Sequence, residues 1–322
     1  MKILNKIKEM FLKYFYDIKY FGISIAHYNF WGEFANFNLL PTRLKIKVKS
    51  KQHQLVEMFL KTKYKDFINK YKKVNFSNVD EKKIIWVCWW QGEDNAPEIV
   101  KICLKSIRKH CGQYEVILLD KDNYKQFVEL PDFIIDKLKN KIITITHFSD
   151  ILRMALLKKY GGIWVDSTMY ICSNVFNEFN KKNLNSNYVI NDDTKDFNIN
   201  RWCGFFIGGK PNKLFNFVYD FLIQYNSDYD RLINYFLIDY AIDIAYNSFE
   251  DCRKDINNIS LKNNDIFTLS AIFNSKYNEN EYERLIDKGF FKFSYKEKYK
   301  LTTSDGEETF YNYFIKINKA GE

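Results

Sequence analysis

An α/β fold with a largely parallel sheet is predicted by three features of this 322-residue sequence. Strand and helix patterns alternate from Ile84 onward, the order that βαβ units of a parallel sheet require. Two short apolar runs, within "IIWVCWWQG" and "YEVILLD", have the length of buried strands. Ahead of them, residues 1–78 carry helical periodicity and an excess of lysine, so a basic helical region is expected to precede an α/β domain at 79–322.

The elements follow in order. In "MKILNKIKEMFLKYFYDIKYF", Ile3, Ile7, Met10, Tyr14, Ile18 and Phe21 recur at three- and four-residue steps among lysines, which makes a basic amphipathic helix. Such a helix either packs on its own protein or lies in an anionic membrane interface. "NLLPTRLKIKVKSKQ" reads as a basic connection, and Leu55, Phe59, Leu60, Phe67 and Ile68 as a second helix ending near Tyr71. After the first strand, Pro97 opens a helix with Ile99, Ile102, Cys103 and Ile107 on one face. The second strand leads to helices between Asp122 and Asn140.

The most informative stretch is "THFSDILRMALLKKYGGIWVDSTMY", Thr146 to Tyr170. Ser149 is the expected cap of a helix that Gly161 stops, and Gly162 lets the chain turn into a strand. From Arg153 to Tyr160 the helix rises about 10 Å, and from Ile163 to Asp166 the strand covers about 10 Å. If the strand runs back along the helix, Asp166 ends beside Asp150 and Arg153, which share one helical face. The plainer alternative makes Asp150 a helix-start acid, Arg153 its surface ion-pair partner and Asp166 a turn former.

Ligands of such sheets sit at the carboxyl ends of strands. Trp89, Trp90 and Gln91 fall there after the first strand, and Asp166, Ser167 and Thr168 after the glycine pair. Downstream, "NYVIND" and "RWCGFFIGGK" read as strands, the second with Gly208 and Gly209 at a turn. Two long helices follow, Leu214 to Tyr225 and Arg231 to Tyr246. Asp239 in the second needs a partner or a pocket, unless it shares a solvated face with Asp243. "FKFSYKEKYKLTTSDGEETFYNYF" yields no assignment.

Basic residues exceed acidic ones by 49 − 40 = 9, and the first 51 residues hold +7 of that excess. The asymmetry points to a local anionic partner rather than a basic body. With no nucleic-acid signature, no nucleic-acid partner is expected. No apolar run reaches the roughly 18 residues of a membrane span, and the lysines of the N-terminus are unlike a signal peptide, so a cytoplasmic location is expected. The six cysteines, 88, 103, 111, 172, 203 and 252, show no CxxC pair and read as reduced core thiols. The four histidines form no zinc pattern.

Four stretches together, "IIWVCWWQGEDNAPEIV", "FSDILRMALLKKYGGIWVDST", "RWCGFFIGGK" and "LINYFLIDYAIDIAY", resemble the capsular polysaccharide synthesis family of sugar transferases. More distantly the chain is similar to the Och1-like Golgi mannosyltransferases and to toxin glucosyltransferases of GT-A fold. The resemblance implies a GT-A catalytic domain at 79–322. It implies transfer, with retention, of a hexose such as galactose or glucose from a UDP-sugar to a lipid-linked oligosaccharide, at the cytoplasmic face of a membrane held through the N-terminal helix. A protein that binds nucleotide sugar or glycan without transfer is the other reading.

Residue by residue, the resemblance puts Trp89 on the nucleotide base, with Gln91, Gly161, Gly162 and Thr168 also on the donor. Asp150 and Arg153 contact the donor sugar. Asp239 acts on the acceptor side or the reacting sugar, and Trp202 and Gly204 shape the acceptor wall. Asp166 matches the first acid of an Asp-x-Asp motif, a ligand of Mn²⁺ or Mg²⁺. The second acid of that motif is replaced by Thr168, which weakens the expected metal site.

Overall fold

The structure, a computed structural model, describes residues 2–34, 41–74, 76, 82–180, 182–188 and 201–319. Four helices come first: α1 (Lys2–Phe21), α2 (Ile23–Phe34), α3 (Thr42–Lys63) and α4 (Lys65–Lys72). The alternating part then runs β1 (Ile84–Cys88), α5 (Glu98–His110), β2 (Glu115–Leu119), α6 (Asp132–Lys139), α7 (Ile145–Tyr160) and β3 (Gly162–Val165). After β4 (Met169–Ile171), β5 (Leu184–Tyr188) and β6 (Phe206–Gly209) come α8 (Lys213–Asp228), α9 (Leu237–Ser248) and α10 (Glu250–Asn257). The unassigned end folds as β7 (Leu261–Lys262), α11 (Thr268–Ala271), α12 (Glu279–Ile286), β8 (Phe290–Lys292) and α13 (Phe310–Lys319).

Six strands form one sheet in the order β2-β1-β3-β6-β5-β7, and β4 pairs with β8 in a small second sheet. The expected parallel character holds for β1 with β2 and β3 and for β5 with β7; β6 alone runs against its neighbours. Strand side chains alternate between two apolar layers. Trp86, Trp164 and Ile207 join the layer of α3, α4 and α6 to α9, whereas Ile85, Val87, Ile163, Val165 and Phe206 join that of α5, α12, α13, β4 and β8. A sheet covered on both faces explains why its strands read as continuous apolar runs. The N-terminal helices belong to the first layer, where Phe21, Ile25, Val56 and Leu60 pack with the α7 and α8 residues.

Several sequence expectations shift. Residues 42–52, read as a connection, are the first half of α3, because lysine is a good helix former and the segment buries Gln52 and His53. The cap of α7 is Thr144, whose hydroxyl accepts from the His147 N–H at 3.1 Å, so Ser149 lies inside the helix. The strand foreseen in "NYVIND" is β5, beginning three residues earlier, and Val189–Asp192 lie outside the described residues. Gly208 and Gly209 are not a turn but the end of β6; a Cβ on Gly208 would stand 2.4 Å from the Gly162 carbonyl oxygen. The helix expected from Arg231 begins at Leu237, since the Tyr225 hydroxyl donates to the Arg231 carbonyl and accepts from the Ile233 N–H, both at 2.7 Å, holding that segment irregular. All six cysteines are free thiols, but only Cys103 and Cys252 are buried, the other four being partly exposed rather than core.

Candidate functional site

The helix–strand unit closes as its arithmetic suggested. Gly161 ends α7 at φ +66° and Gly162 follows at φ +85°, a left-handed pair that reverses the chain. Trp86 fixes the reversal, its indole N–H donating to the Gly161 carbonyl at 3.0 Å. β3 then runs back beneath α7, and because side chains alternate, Asp166 falls on the same face as Trp164, the face that α7 covers.

Three groups converge on Asp166. Its Oδ1 accepts from the Trp164 indole N–H at 2.9 Å and pairs with Arg153 Nη2 at 3.4 Å, while its Oδ2 pairs with Lys292 Nζ at 3.0 Å. Arg153 Nη1 reaches Asp150 Oδ1 at 3.1 Å, and the guanidinium stands 5.0 Å from the Trp164 ring centroid, a cation–π contact. Asp150 is the sixth residue of α7 and is buried with Arg153, so neither a helix-start role nor a surface ion pair describes them. Arg153 Nε is buried without a hydrogen-bond partner.

The charges divide the carboxyls. Burial would raise the Asp166 carboxyl, but Lys292, Arg153 and the Trp164 hydrogen bond outweigh it and hold it below the usual carboxylate range. Burial, only partly offset by Arg153 and reinforced by Asp239 and Asp166, pushes Asp150 up to about 7. Near neutral pH the two carboxyls thus differ, Asp166 a firm anion and Asp150 poised between forms.

Other predicted residues gather on the same side. Asp239, buried on α9, accepts from the Trp202 indole N–H at 2.9 Å and lies within electrostatic reach of Asp150. It therefore meets the partner its apolar helix demanded. Asp243 is buried too, paired with Arg201, so the two acids do not form a solvated face. Trp202 is 2 % exposed and offers Asp239 an N–H rather than an open ring face. A Cβ on Gly204 would stand 3.2 Å from Arg153 Nη1, placing Gly204 against the guanidinium.

Trp89 follows β1 at its carboxyl end, its ring 5.0 Å edge-on from Tyr295 and its indole N–H buried without a partner. Gln91 is exposed in the turn beyond it. Gly161 and Gly162 are not brought to the cluster: Asp166 lies four steps beyond Gly162 along the strand, roughly 13 Å. Their work is in the turn.

Lys292 is the site residue that sequence reasoning missed. It lies on β8, where Met169 faces it in the small sheet, and its Nζ bonds both Asp166 Oδ2 and the Thr168 hydroxyl. The available cue was a single cation within "GFFKFSY", whose Phe290, Phe291 and Phe293 are all buried. A lysine in so aromatic a run needs an anion.

The protein oxygens at Asp166 are turned to cations of the chain itself rather than left open to a divalent ion. Such an ion takes about six oxygens, typically one or two carboxylates with waters and substrate phosphates. Asp166 has both oxygens engaged, Thr168 is bonded to Lys292, and Asp150 is held by Arg153. Among the described residues, no three of His, Cys, Asp and Glu are grouped to hold a metal.

Fold and cluster together define an α/β protein of glycosyltransferase-like architecture, with a charged site at the carboxyl ends of β1 and β3. The family described as capsular polysaccharide synthesis protein matches residues 37–314, and the chain belongs to it. Membership indicates a biosynthetic enzyme with a role in capsule formation. None of the curated proteins compared with the chain matches it.

Proposed function

We propose that this chain is a GT-A glycosyltransferase that moves a hexose, galactose or glucose, from a UDP-sugar to a lipid-linked oligosaccharide with retention of configuration. The observation that carries the reading is the cluster of Asp150, Arg153, Asp166 and Lys292 at the strand ends. In the reaction, the bond between the anomeric carbon and the β-phosphate oxygen breaks, and its electron pair stays with the diphosphate. An acceptor hydroxyl oxygen bonds the anomeric carbon, and its proton passes to the departing diphosphate. Negative charge grows on the phosphate and positive charge on the sugar ring, so paired cations and carboxylates are the groups this chemistry uses.

In this reading Trp89 stacks on the base and Gln91 borders it. Asp150 and Arg153 hold the donor sugar, Thr168 lies by the diphosphate, and Asp239 with Gly204 faces the acceptor, Trp202 orienting Asp239 through its indole N–H. Isothermal titration with UDP and with GDP tests it: UDP is expected to bind and GDP to bind more weakly. Binding of neither nucleotide would refute the assignment. The alternative, a protein that binds nucleotide sugar without transfer, draws on Thr168 in place of a second acid; donor binding with neither transfer nor hydrolysis would favour it.

A second part of the proposal concerns location. One side of α1 packs into the protein through Met10 and Phe21, yet Phe11, Leu12 and Phe15, with Ile23 at the start of α2, are 50–67 % exposed beside lysines. Apolar side chains flanked by cations suit the anionic cytoplasmic face of a membrane, where a lipid-linked acceptor sits. Among the described residues no helix is long and apolar enough to cross a membrane. The protein is expected to float with vesicles containing anionic lipid, and the triple variant Phe11→Ser, Leu12→Ser, Phe15→Ser to remain at the bottom of the gradient. Wild-type protein that ignores anionic vesicles would remove this part.

A further inference from the structure

Lys292 occupies a particular place: β8 lies beside β4, just beyond the end of β3, and the backbone pairing of Met169 with Lys292 sets its register. Its own N–H donates to the Ile266 carbonyl at 2.8 Å, which fastens the strand on its other side. From there the Nζ reaches Asp166 and the Thr168 hydroxyl together, the two positions of the Asp-x-Thr sequence. Its side chain is 17 % exposed, and the Nζ lies 5.3 Å from the Phe205 ring centroid. A cation of the chain itself thus sits where the Asp-x-Asp pattern would place a metal. Asp166 lies between this ammonium and the Arg153 guanidinium, both of which would repel a divalent ion.

Thr168 fits this arrangement better than an acid would. A second carboxylate would neutralise the ammonium, whereas a hydroxyl accepts a hydrogen bond and leaves the charge available. An ammonium has three donors, and Asp166 and Thr168 take two of them. Across the cluster, Arg153 Nε also lacks a partner.

We propose that Lys292 supplies the positive charge that binds the donor's diphosphate, so that the chain holds a nucleoside diphosphate sugar without a divalent metal. The proposal rests on the nucleotide-sugar reading of this site. Lys292 is then a binding residue whose ammonium faces the diphosphate both before and after the sugar leaves.

The test is titration of wild type, Lys292→Met and Lys292→Arg with UDP and with GDP, each in EDTA and in Mn²⁺, after a circular dichroism melt of each variant. Wild-type affinity is expected to be the same in EDTA and Mn²⁺ within about twofold. Lys292→Met is expected to bind about tenfold more weakly or worse in EDTA, the size of a lost charge-assisted hydrogen bond, and Lys292→Arg to keep most of the affinity. Nucleotide binding that appears only with Mn²⁺ would overturn the proposal and leave the nucleotide reading standing. So would a Lys292→Met variant that binds like wild type. Failure of the wild type to bind either nucleotide under any condition would overturn both. Should Lys292→Met not fold, the comparison of wild type in EDTA and Mn²⁺ decides alone.

Discussion

Replacing Asp166 with asparagine is expected, on the proposed glycosyltransferase reading, to lower sugar transfer by about 10²-fold or more while the protein stays folded. Asp166 is the anion that holds Arg153 on one oxygen and Lys292 on the other, with the Trp164 N–H fixing its orientation. An asparagine keeps the shape but offers a single neutral acceptor, so the two cations lose the charge that aligns them. Misaligned electrostatic groups cost this much in enzymes that stabilise developing charge. The Asp166 side chain is itself 29 % exposed and asparagine keeps its shape and its acceptor for the Trp164 N–H, so the fold is expected to survive. The check is transfer from a UDP-sugar into an endogenous lipid acceptor, beside a thermal melt. An Asp166→Asn protein with undiminished transfer would remove Asp166 from the mechanism.

Gly162→Ala is expected to destabilise the protein by about 3 kcal/mol or more, through two separable terms. A φ of +85° costs an L-residue about 1–2 kcal/mol. A Cβ there would also stand 2.5 Å from the Ile84 carbonyl oxygen, a backbone atom of the neighbouring strand that cannot move without opening the β1–β3 pairing. Gly306 supplies the control, because its φ is +79° and nothing lies within 4 Å of its added Cβ. Gly306→Ala should carry only the conformational term. Equal losses of thermal midpoint in the two variants would show that the close approach at Gly162 has no energetic weight. Because β3 carries Asp166 at its far end, Gly162→Ala should lower transfer as well.

What could be read from the sequence and what could not follow a physical division. Asp150, Arg153 and Asp166 are 3 and 13 residues apart, and the two regular rises of helix and strand suffice to bring them together once a glycine pair turns the chain. The pairing of Trp202 with Asp239 was half legible, since an acid on an apolar helix must find a partner but nothing local names it. The cap of α7 was misplaced because Ser149 and Thr144 are both good caps, and the choice depends on where the preceding loop delivers the chain. Gly208 and Gly209 suggested a turn because glycine commonly makes one. They serve instead where β6 passes too close to β3 and β5 for any Cβ, a fact that exists only between strands.

The sequence by itself determined the alternation of strands and helices, the burial of the first strands, and the meeting of Asp150, Arg153 and Asp166, because each depends on periodicity or on short spans of chain. Only the tertiary structure decided that a lysine 126 residues from Asp166 completes the cluster, and that the carboxyls of Asp150 and Asp166 are driven in opposite directions. The reason is that a charge's partners and its burial are properties of the packed chain. β8 reaches β4 through backbone pairing that any strand-forming segment could make, and no local pattern in "GFFKFSY" says which carboxylate its lysine will find.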